Sequence, residues 1–442
     1  MSKGIRFIAL VCLWGPWTQA LADKELIDWQ VHGFLSQGYI LTEGNDFFGS
    51  SRDGGSFDFT EVGLNVSLRP WNRLLVSAQG LFRQAGASDE EGVRLDFAQL
   101  DYYVPLGETS TLGIRLGRVK NPFGLYNDTR DVVWTRPGVL LPQSVYFDSL
   151  ALRQAMISSD GGLLYGRYAH GDHAISTEFL VADPLDETGG AAEFLTGIPD
   201  VQGDLNGRPM LIGRATYEWL AGRFRLMFSI VDLDRDFHSS TLGVSSGTLT
   251  TQYPLASMQY NAENWTLTAE YGRVITERSG FTPGGDTLKN TSESFYVQGQ
   301  YRLNPKWSLL ARYDVFFANV DDRDGRETSK LTGLPRHRFF ARDLTVGARW
   351  ELARHWLLVG EYHYIDGTAW ASEKDNPELR SGGGGSLLAF IYLDGVIPFL
   401  SSSDSVLCIN HRKGKSALLK ESIDSSVCTG KDSSISACSS WH

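Results

Sequence analysis

Fifteen short stretches of this 442-residue chain alternate apolar and polar residues, and each stretch is bounded by a turn. Between residues 307 and 315, one face of the chain carries Trp307, Leu309, Ala311, Tyr313 and Val315. Because strand side chains project with period two, each stretch offers one face to lipid and the other to water. Alternation without long apolar helices is how a β-barrel crosses a membrane. The pattern therefore predicts an all-β fold, a transmembrane antiparallel up-and-down β-barrel that forms a pore.

Short and long connections alternate along these stretches, as they do in outer-membrane barrels. Bacterial single-chain barrels have an even number of strands, because the last strand must pair with the first. We therefore expect 16 strands, with the last one aberrant. The fifteen clear ones are predicted at residues 29–41, 57–69, 73–84, 92–104, 110–120, 160–169, 173–182, 209–219, 222–233, 250–261, 264–277, 291–303, 306–318, 339–352 and 355–367.

The N-terminus has the features of an export signal. Lys3 and Arg6 precede a short apolar core, and Ala20-Leu21-Ala22 has the pattern of a cleavage site. The apolar core is too short to span a bilayer as a helix. We expect a signal peptide at residues 1–22, a barrel at residues 23–380 and a location in the bacterial outer membrane.

The chain changes character after about residue 380. A Gly-rich run at 381–386 is followed by an apolar run at 387–400 that does not alternate. The remainder is rich in Ser and Lys and holds Cys408, Cys428 and Cys438. We interpret residues 381–442 as a frameshifted or otherwise aberrant C-terminal segment. The alternative is a degenerate strand at 387–399 with a periplasmic tail.

Charge and aromatic content narrow the class of protein. The formal net charge of −11 argues against a nucleic-acid-binding protein, which is usually basic. Six tryptophans flank turns, where an aromatic girdle would meet lipid headgroups; they are Trp29, Trp71, Trp219, Trp265, Trp307 and Trp356. Outer-membrane lipid is therefore an expected partner. A soluble β-sandwich is the alternative, although it would not need such regular turn aromatics.

The third long connection, residues 121–159, is the predicted constriction loop. Phe123, Leu125, Val132, Val133 and Trp134 could anchor it to the inner wall. Its charged residues would then face the aqueous path and create a transverse field; they are Asp128, Arg130, Asp131, Arg136, Asp148 and Arg153. The alternative is a solvated outer loop whose charges only keep it soluble.

Several common enzyme motifs are absent from the sequence. It has no H-E-x-x-H, no phosphate-binding Gly loop and no C-x-x-C. His170 and His173 share a tight turn without a further metal ligand, so a solvated turn is favoured over a metal site. We predict no catalytic residue, no metal and no cofactor. The alternative function is an outer-membrane barrel that hydrolyses lipids or esters, with His363 as its best base.

Two segments resemble a known family. The sequence from Gly117 to Gly124, and that from Trp29 to Tyr39, are similar to the corresponding segments of the phosphate-selective porin O and P superfamily, which includes the DcaP-like porins. The resemblance implies a 16-stranded barrel, usually a homotrimer, that passes small and often anionic solutes. It also implies that Arg118 and Lys120 lie beside the constriction. The chain departs from the family at its ending and lacks the N-terminal coiled coil of DcaP-like members.

Alternation places many polar side chains inward, including Arg115 on the fifth strand. A guanidinium binds carboxylates and phosphates in a fixed fork, so small anionic or polar solutes are favoured. The residues predicted to line the constriction are Arg115, Arg118, Lys120, Asp128, Arg130, Asp131, Arg136 and Arg153. The predicted function is that of an anion-biased porin.

Overall fold

The computed structural model describes residues 28–52, 54–86, 92–148, 153–185, 201–281, 286–371, 376 and 383–392. The first strands are β1 (Asp28–Leu41), β2 (Ser56–Trp71), β3 (Leu74–Ala85), β4 (Gly92–Pro105), β5 (Ser110–Lys120), β6 (Ser158–His170), β7 (His173–Pro184) and β8 (Gly203–Asn206). The others are β9 (Met210–Trp219), β10 (Phe224–Ser239), β11 (Gly247–Asn261), β12 (Trp265–Ser279), β13 (Thr287–Asn304), β14 (Trp307–Phe317), β15 (Phe340–Ala353), β16 (Trp356–Gly367) and β17 (Gly383–Tyr392). Two short helices are α1 (Arg153–Ile157) and α2 (Arg326–Thr332). None of the helices described is long and apolar enough to span a bilayer.

The strands form one closed antiparallel ring. Each long strand pairs with its neighbours in chain order, whereas the four-residue β8 pairs only with the end of β10. β17 lies between β16 and β1 and closes the ring. Sixteen long strands thus make the predicted up-and-down barrel, and the two-sheet sandwich is ruled out.

All fifteen strands predicted from alternation are present, but several are longer than predicted. β10 continues to Ser239 and β13 begins at Thr287. These additions lie at the rim that carries the long connections. There the outward positions carry polar residues such as Asp234, Asp236 and Lys289, so the apolar–polar pattern stops although the backbone pairing continues.

The two faces of the sheet differ as the alternation predicts. On β14, Leu309 and Tyr313 point outward and are exposed, whereas Arg312 and Asp314 point inward and are buried. Five of the six turn tryptophans are exposed at the rim of the short turns; they are Trp71, Trp219, Trp265, Trp307 and Trp356. The barrel therefore presents an apolar belt to its surroundings and a polar wall to its interior.

The closing strand falls in the Gly-rich part of the unusual C-terminal segment. β17 pairs with β16 over ten residues but with β1 over only five, from Gln37↔Ile391 to Leu41↔Leu387. It begins four residues before the degenerate strand considered above. The frameshift hypothesis stays a prediction. The predicted signal peptide and residues 393–442 lie outside the described part of the chain.

We expect Ala389→Pro to prevent closure of the barrel. Ala389 pairs with Tyr39 on one side and Gly360 on the other, and proline would remove a ladder N–H from this central strand. The purified variant should lose the heat-modifiable folded band seen on unheated gels. Leu242→Pro, in an exposed loop, is the control and should keep that band. A folded band for Ala389→Pro as heat-resistant as that of the wild type would contradict closure by β17.

Candidate functional site: a loop inside the barrel

The connection between β5 and β6 folds into the barrel. Its two ends meet at a polar neck, where the Asn121 amide donates to the Ile157 carbonyl at 2.9 Å. The Asn127 side chain donates to the Asn121 carbonyl at 2.8 Å and to the Met156 carbonyl at 2.9 Å. These bonds replace the strand ladder that ends at Lys120, so the chain can turn inward without leaving buried backbone groups unpaired. We call residues 121–148 and 153–157 the inner loop.

Apolar side chains of the inner loop pack against opposite parts of the wall. Phe123, Leu141 and Tyr146 join a cluster with residues of β5 to β13. Val133, Val139 and Leu140 join a second cluster with residues of β1, β2, β3 and β16. The predicted anchors Phe123, Val133 and Trp134 are confirmed as wall contacts, whereas the stronger anchors at 139–146 were not predicted. The loop therefore crosses the lumen.

A network of buried ion pairs fixes the inner loop to β2–β5. It contains five cations and four carboxylates, and we call it the anchor network; its members are Glu61, Arg83, Asp96, Lys120, Arg130, Asp131, Arg136, Asp148 and Arg153. Lys120 bridges Asp96 of β4 and Asp131 of the loop. Arg153 then links Asp131 to Asp148 through contacts of 2.5 and 2.9 Å.

Glu61 is the point where β2 holds the inner loop. Arg136 donates to both of its carboxylate oxygens, at 2.7 and 2.8 Å, which is the bidentate geometry that makes such pairs strong. Arg83 of β3 donates to the same carboxylate at 3.2 Å. The Glu61 side chain is fully buried, so its charge depends on both guanidinium groups.

The loop carboxylates of the anchor network are held ionised. Burial alone would raise the pKa of Asp148, but the guanidinium groups of Arg130, Arg83 and Arg153 hold it well below its usual range. Burial likewise opposes ionisation of Asp131, whose pKa is lowered by Lys120 and Arg153. A depressed carboxyl pKa means that the stabilisation is present at neutral pH and is lost only as the pH falls through the lowered value.

Single polar contacts hold the inner loop to the remaining wall, from β10 to β16. Glu270 of β12 accepts from the Leu125 amide at 3.1 Å and from the Tyr146 hydroxyl at 2.6 Å. Glu361 of β16 accepts from the Leu140 amide at 3.2 Å. Further contacts come from strands between and beside these; they are Gly124 N to Ser229 Oγ, Ser144 N to Asp314, Arg312 to the Leu140 carbonyl and Arg349 to the Trp134 carbonyl.

Below the inner loop, toward the short turns, the wall carries ion pairs that keep contact with solvent. Arg115 pairs with Asp101 at 3.0 Å. Arg167 and Arg225 share Glu218 at 3.4 and 2.8 Å. The side chains of Arg167 and Arg225 are 43% and 22% exposed, against 10% for Glu218. In each of these pairs the guanidinium side chain is therefore more exposed than its carboxylate partner.

The structure brings together five of the eight residues predicted for the constriction. Lys120, Arg130, Asp131, Arg136 and Arg153 all belong to the anchor network, but they are nearly fully buried and do not line an aqueous path. Buried charges are tolerated only when they are paired, and pairing is the role that they have here.

The other three predicted residues lie elsewhere. Asp128 accepts from Arg214 of β9 at 2.6 Å and is partly exposed. Arg115 faces the lumen below the loop. Arg118 instead lies on the outward face, in line with Leu112, Ile114 and Leu116, and bonds Asp160 at 2.9 Å.

Some members of the site were not found from the sequence. Strict alternation would place Asp96 on the outward face with Leu100. A bulge in β4 opposite Gln79 and Gly80 turns it inward instead. The sequence did offer one signal that Asp96 faces inward, because a carboxylate that faces lipid costs free energy. Arg214 could have been found by alternation, since its neighbours Gly213 and Ala215 face outward.

His363, the best candidate base, and His173 of the tight turn both have polar partners in the barrel. His363 Nδ1 lies 2.7 Å from Asp343 Oδ2, and its Nε2 lies 3.2 Å from Glu361 Oε2. Both ring nitrogens therefore face carboxylates, so neither nitrogen is directed at a serine nucleophile. His173 Nδ1 lies 2.8 Å from the Tyr217 hydroxyl at the short-turn rim.

Comparison with solved structures identifies known proteins that have a similar architecture. The outer-membrane channel DcaP of Acinetobacter baumannii is similar with a TM-score of 0.51 and 13% identity, covering 84% of this chain and 98% of that one. The chain has the porin fold. Salmonella typhi OmpF, solved in complex with daunomycin, is similar with a TM-score of 0.51 and 14% identity, covering 83% of this chain and 97% of that one.

Sequence comparisons add no closer relationship. No protein-family model matches the chain, and no curated protein matches it. Membership of the phosphate-selective porin O and P superfamily therefore stays a prediction from the two similar segments.

We expect Glu61→Gln to release the inner loop from β2. The change leaves Arg83 and Arg136 without their shared counter-charge, and breaking a buried pair costs about 3–5 kcal/mol. Single-channel conductance and current noise should both rise. Glu277→Gln, which removes an exposed pair with Lys289 at the rim, is the matched control and should change neither. Unchanged conductance in Glu61→Gln would show that this pair does not hold the loop.

Asp148→Asn tests the lowered pKa of Asp148, because asparagine imitates the protonated side chain. At neutral pH we expect the variant to show noisier current than the wild type. The difference should persist at about pH 4, near the ordinary pKa of an aspartate, because Asp148 remains ionised there. Equal current noise in the variant and the wild type at that pH would contradict the lowered pKa of Asp148.

Proposed function

We propose that this chain is a porin of the bacterial outer membrane that lets small polar solutes diffuse through its lumen. One observation carries the proposal: a long loop crosses the interior of a closed, externally apolar barrel and is fixed to opposite walls. A loop in that position sets the width of any path for solutes. Its contacts with Glu61 of β2, Glu270 of β12 and Glu361 of β16 hold it directly to strands of the wall.

At the level of the inner loop the wall side chains are buried, so this level is the proposed constriction. Glu61, Glu270, Arg312 and His363 are each no more than 2% exposed there. The width of the proposed passage therefore depends on how closely the inner loop packs against the wall. This arrangement favours small solutes and a low conductance.

We further propose that the channel prefers anions. The exposed guanidinium groups of Arg167, Arg225 and Arg115 lie just below the loop, and each is more exposed than the carboxylate it pairs with. A passing anion thus meets exposed positive charge on this wall before it reaches the constriction. The preference is modest because every one of these cations has a carboxylate partner.

A trimer is the proposed assembly. The ion pair between Arg118 and Asp160 lies on the outward face, beside the exposed Leu116 and Leu164. Charge on a lipid-facing position is costly, about 2–4 kcal/mol for an arginine at the bilayer midplane. Contact with a second copy of the barrel would remove this pair from lipid, which supports association through β4–β6.

Reversal potentials in planar bilayers test the function. In a salt gradient at about 0.1 M, the double variant Arg167→Gln/Arg225→Gln should lose roughly half of the anion preference, because exposed charge attracts ions within a Debye length of about 10 Å. At about 1 M salt the difference should vanish, since the Debye length falls to about 3 Å. Arg326→Gln, in the outer helix α2, is the matched control.

The outcomes of this experiment are distinct. No current from correctly folded protein would overturn the porin, whereas current without anion preference would overturn only the selectivity. The same records test the trimer, because one insertion should then close in three equal steps. The hydrolase alternative predicts ester turnover without current, and the engagement of both His363 nitrogens by carboxylates does not favour it.

A further inference from the structure

Three arginines lie together on the outward face of β12–β16, at the rim that carries the long connections. Arg273 is on β12, Arg342 is on β15, and Arg323 reaches them from the connection between β14 and β15. The outward rows of β13 to β16 below them, toward the short turns, are apolar or aromatic and exposed; they include Val297, Tyr313, Leu344 and Tyr364. The arginines therefore follow directly on the apolar belt.

Glu293 of β13 positions two of these guanidinium groups. Arg323 contacts one of its carboxylate oxygens at 2.7 Å, and Arg273 contacts the other at 3.6 Å. The Tyr271 hydroxyl donates to the same carboxylate at 2.7 Å and accepts from Arg273 Nε at 2.7 Å. Glu293 itself is buried, whereas both arginine side chains are about half exposed.

Two phenylalanines on the outward face pack against the guanidinium groups of Arg323 and Arg342. Arg323 lies over the ring of Phe317 at 5.6 Å, and Arg342 lies over Phe317 at 5.7 Å and over Phe340 at 4.8 Å. Arg342 also bonds Asp366 at 3.0 Å. Stacking on rings restricts the planes of the guanidinium groups. Both side chains nevertheless keep accessible surface, 54% for Arg323 and 37% for Arg342.

Charge distinguishes this patch from other outward-facing ion pairs at the same rim. Arg208 faces two aspartates, Asp232 and Asp234, and Lys289 faces Glu277. In the patch, three arginines face two carboxylates, and one of these is buried beneath them. The patch therefore keeps an excess of positive charge at its surface.

We propose that Arg273, Arg323 and Arg342 bind the phosphate groups of an anionic glycolipid headgroup in the outer leaflet. A phosphate accepts several hydrogen bonds in the fork geometry that a guanidinium supplies. The neighbouring apolar rows would take the acyl chains of the same lipid, so one molecule satisfies both surfaces. This inference rests on the proposed outer-membrane location, because the patch would otherwise meet no such lipid.

Native mass spectrometry with lipid A carrying two phosphates tests the proposal. The detergent-solubilised wild type should retain bound lipid A. The variant Arg273→Gln/Arg323→Gln/Arg342→Gln should bind it at least about tenfold more weakly, since three charge-assisted contacts are lost. Arg323→Gln alone, which alters no strand, should give a smaller loss. The control is Arg326→Gln, which removes an arginine from the same connection but not from the patch, and it should bind like the wild type.

Equal binding by the triple variant, or by Arg323→Gln if the triple variant does not fold, would overturn the proposal. Phosphatidylglycerol that displaces lipid A at equal concentration would overturn the assignment to a glycolipid. Displacement by inorganic phosphate at that concentration would overturn the assignment to a lipid. Conductance in phosphatidylcholine bilayers is measured on the same variants and should be unchanged, so a failed lipid site and a failed channel give different results.

Discussion

Closure of the strand ring is the constraint on which the rest of the structure depends. Inside a bilayer every backbone N–H and C=O must be paired, and an open sheet edge in lipid has no partner. This chain meets the requirement with β17, a strand drawn from a Gly-rich segment without the usual alternation. Because the ring closes, its polar face encloses a lumen, and a loop can be fixed across that lumen.

Charge on the inner wall has two different uses in this barrel. In the anchor network, burial and pairing turn charged groups into structural contacts between β2–β5 and the inner loop. Below the loop, the same residue types remain partly exposed and can act on solutes. The difference lies in packing: Val133 and Leu140 join a buried apolar cluster at the level of the loop, whereas the Arg167 side chain stays 43% exposed.

The sequence allowed the strands and their faces to be predicted, because lipid on one side and water on the other impose a period of two. It also allowed the prediction that Phe123, Val133 and Trp134 anchor a loop. The pairing of the loop charges could not be predicted, since Glu61 and Arg136 are 75 residues apart and meet only through the fold. Asp96 was missed because a bulge in β4 changes which parity faces inward. Arg118 was misplaced because the family resemblance put it beside the constriction, whereas its alternation with Leu112, Ile114 and Leu116 puts it outward.

The junction between β1 and β17 spans five residue pairs, and β17 contributes three glycines just before them. The other neighbouring long strands pair over at least eight residue pairs. Tension applied along the barrel wall would concentrate at this narrow joint, so mechanical or thermal unzipping would begin there and travel around the circumference in both directions.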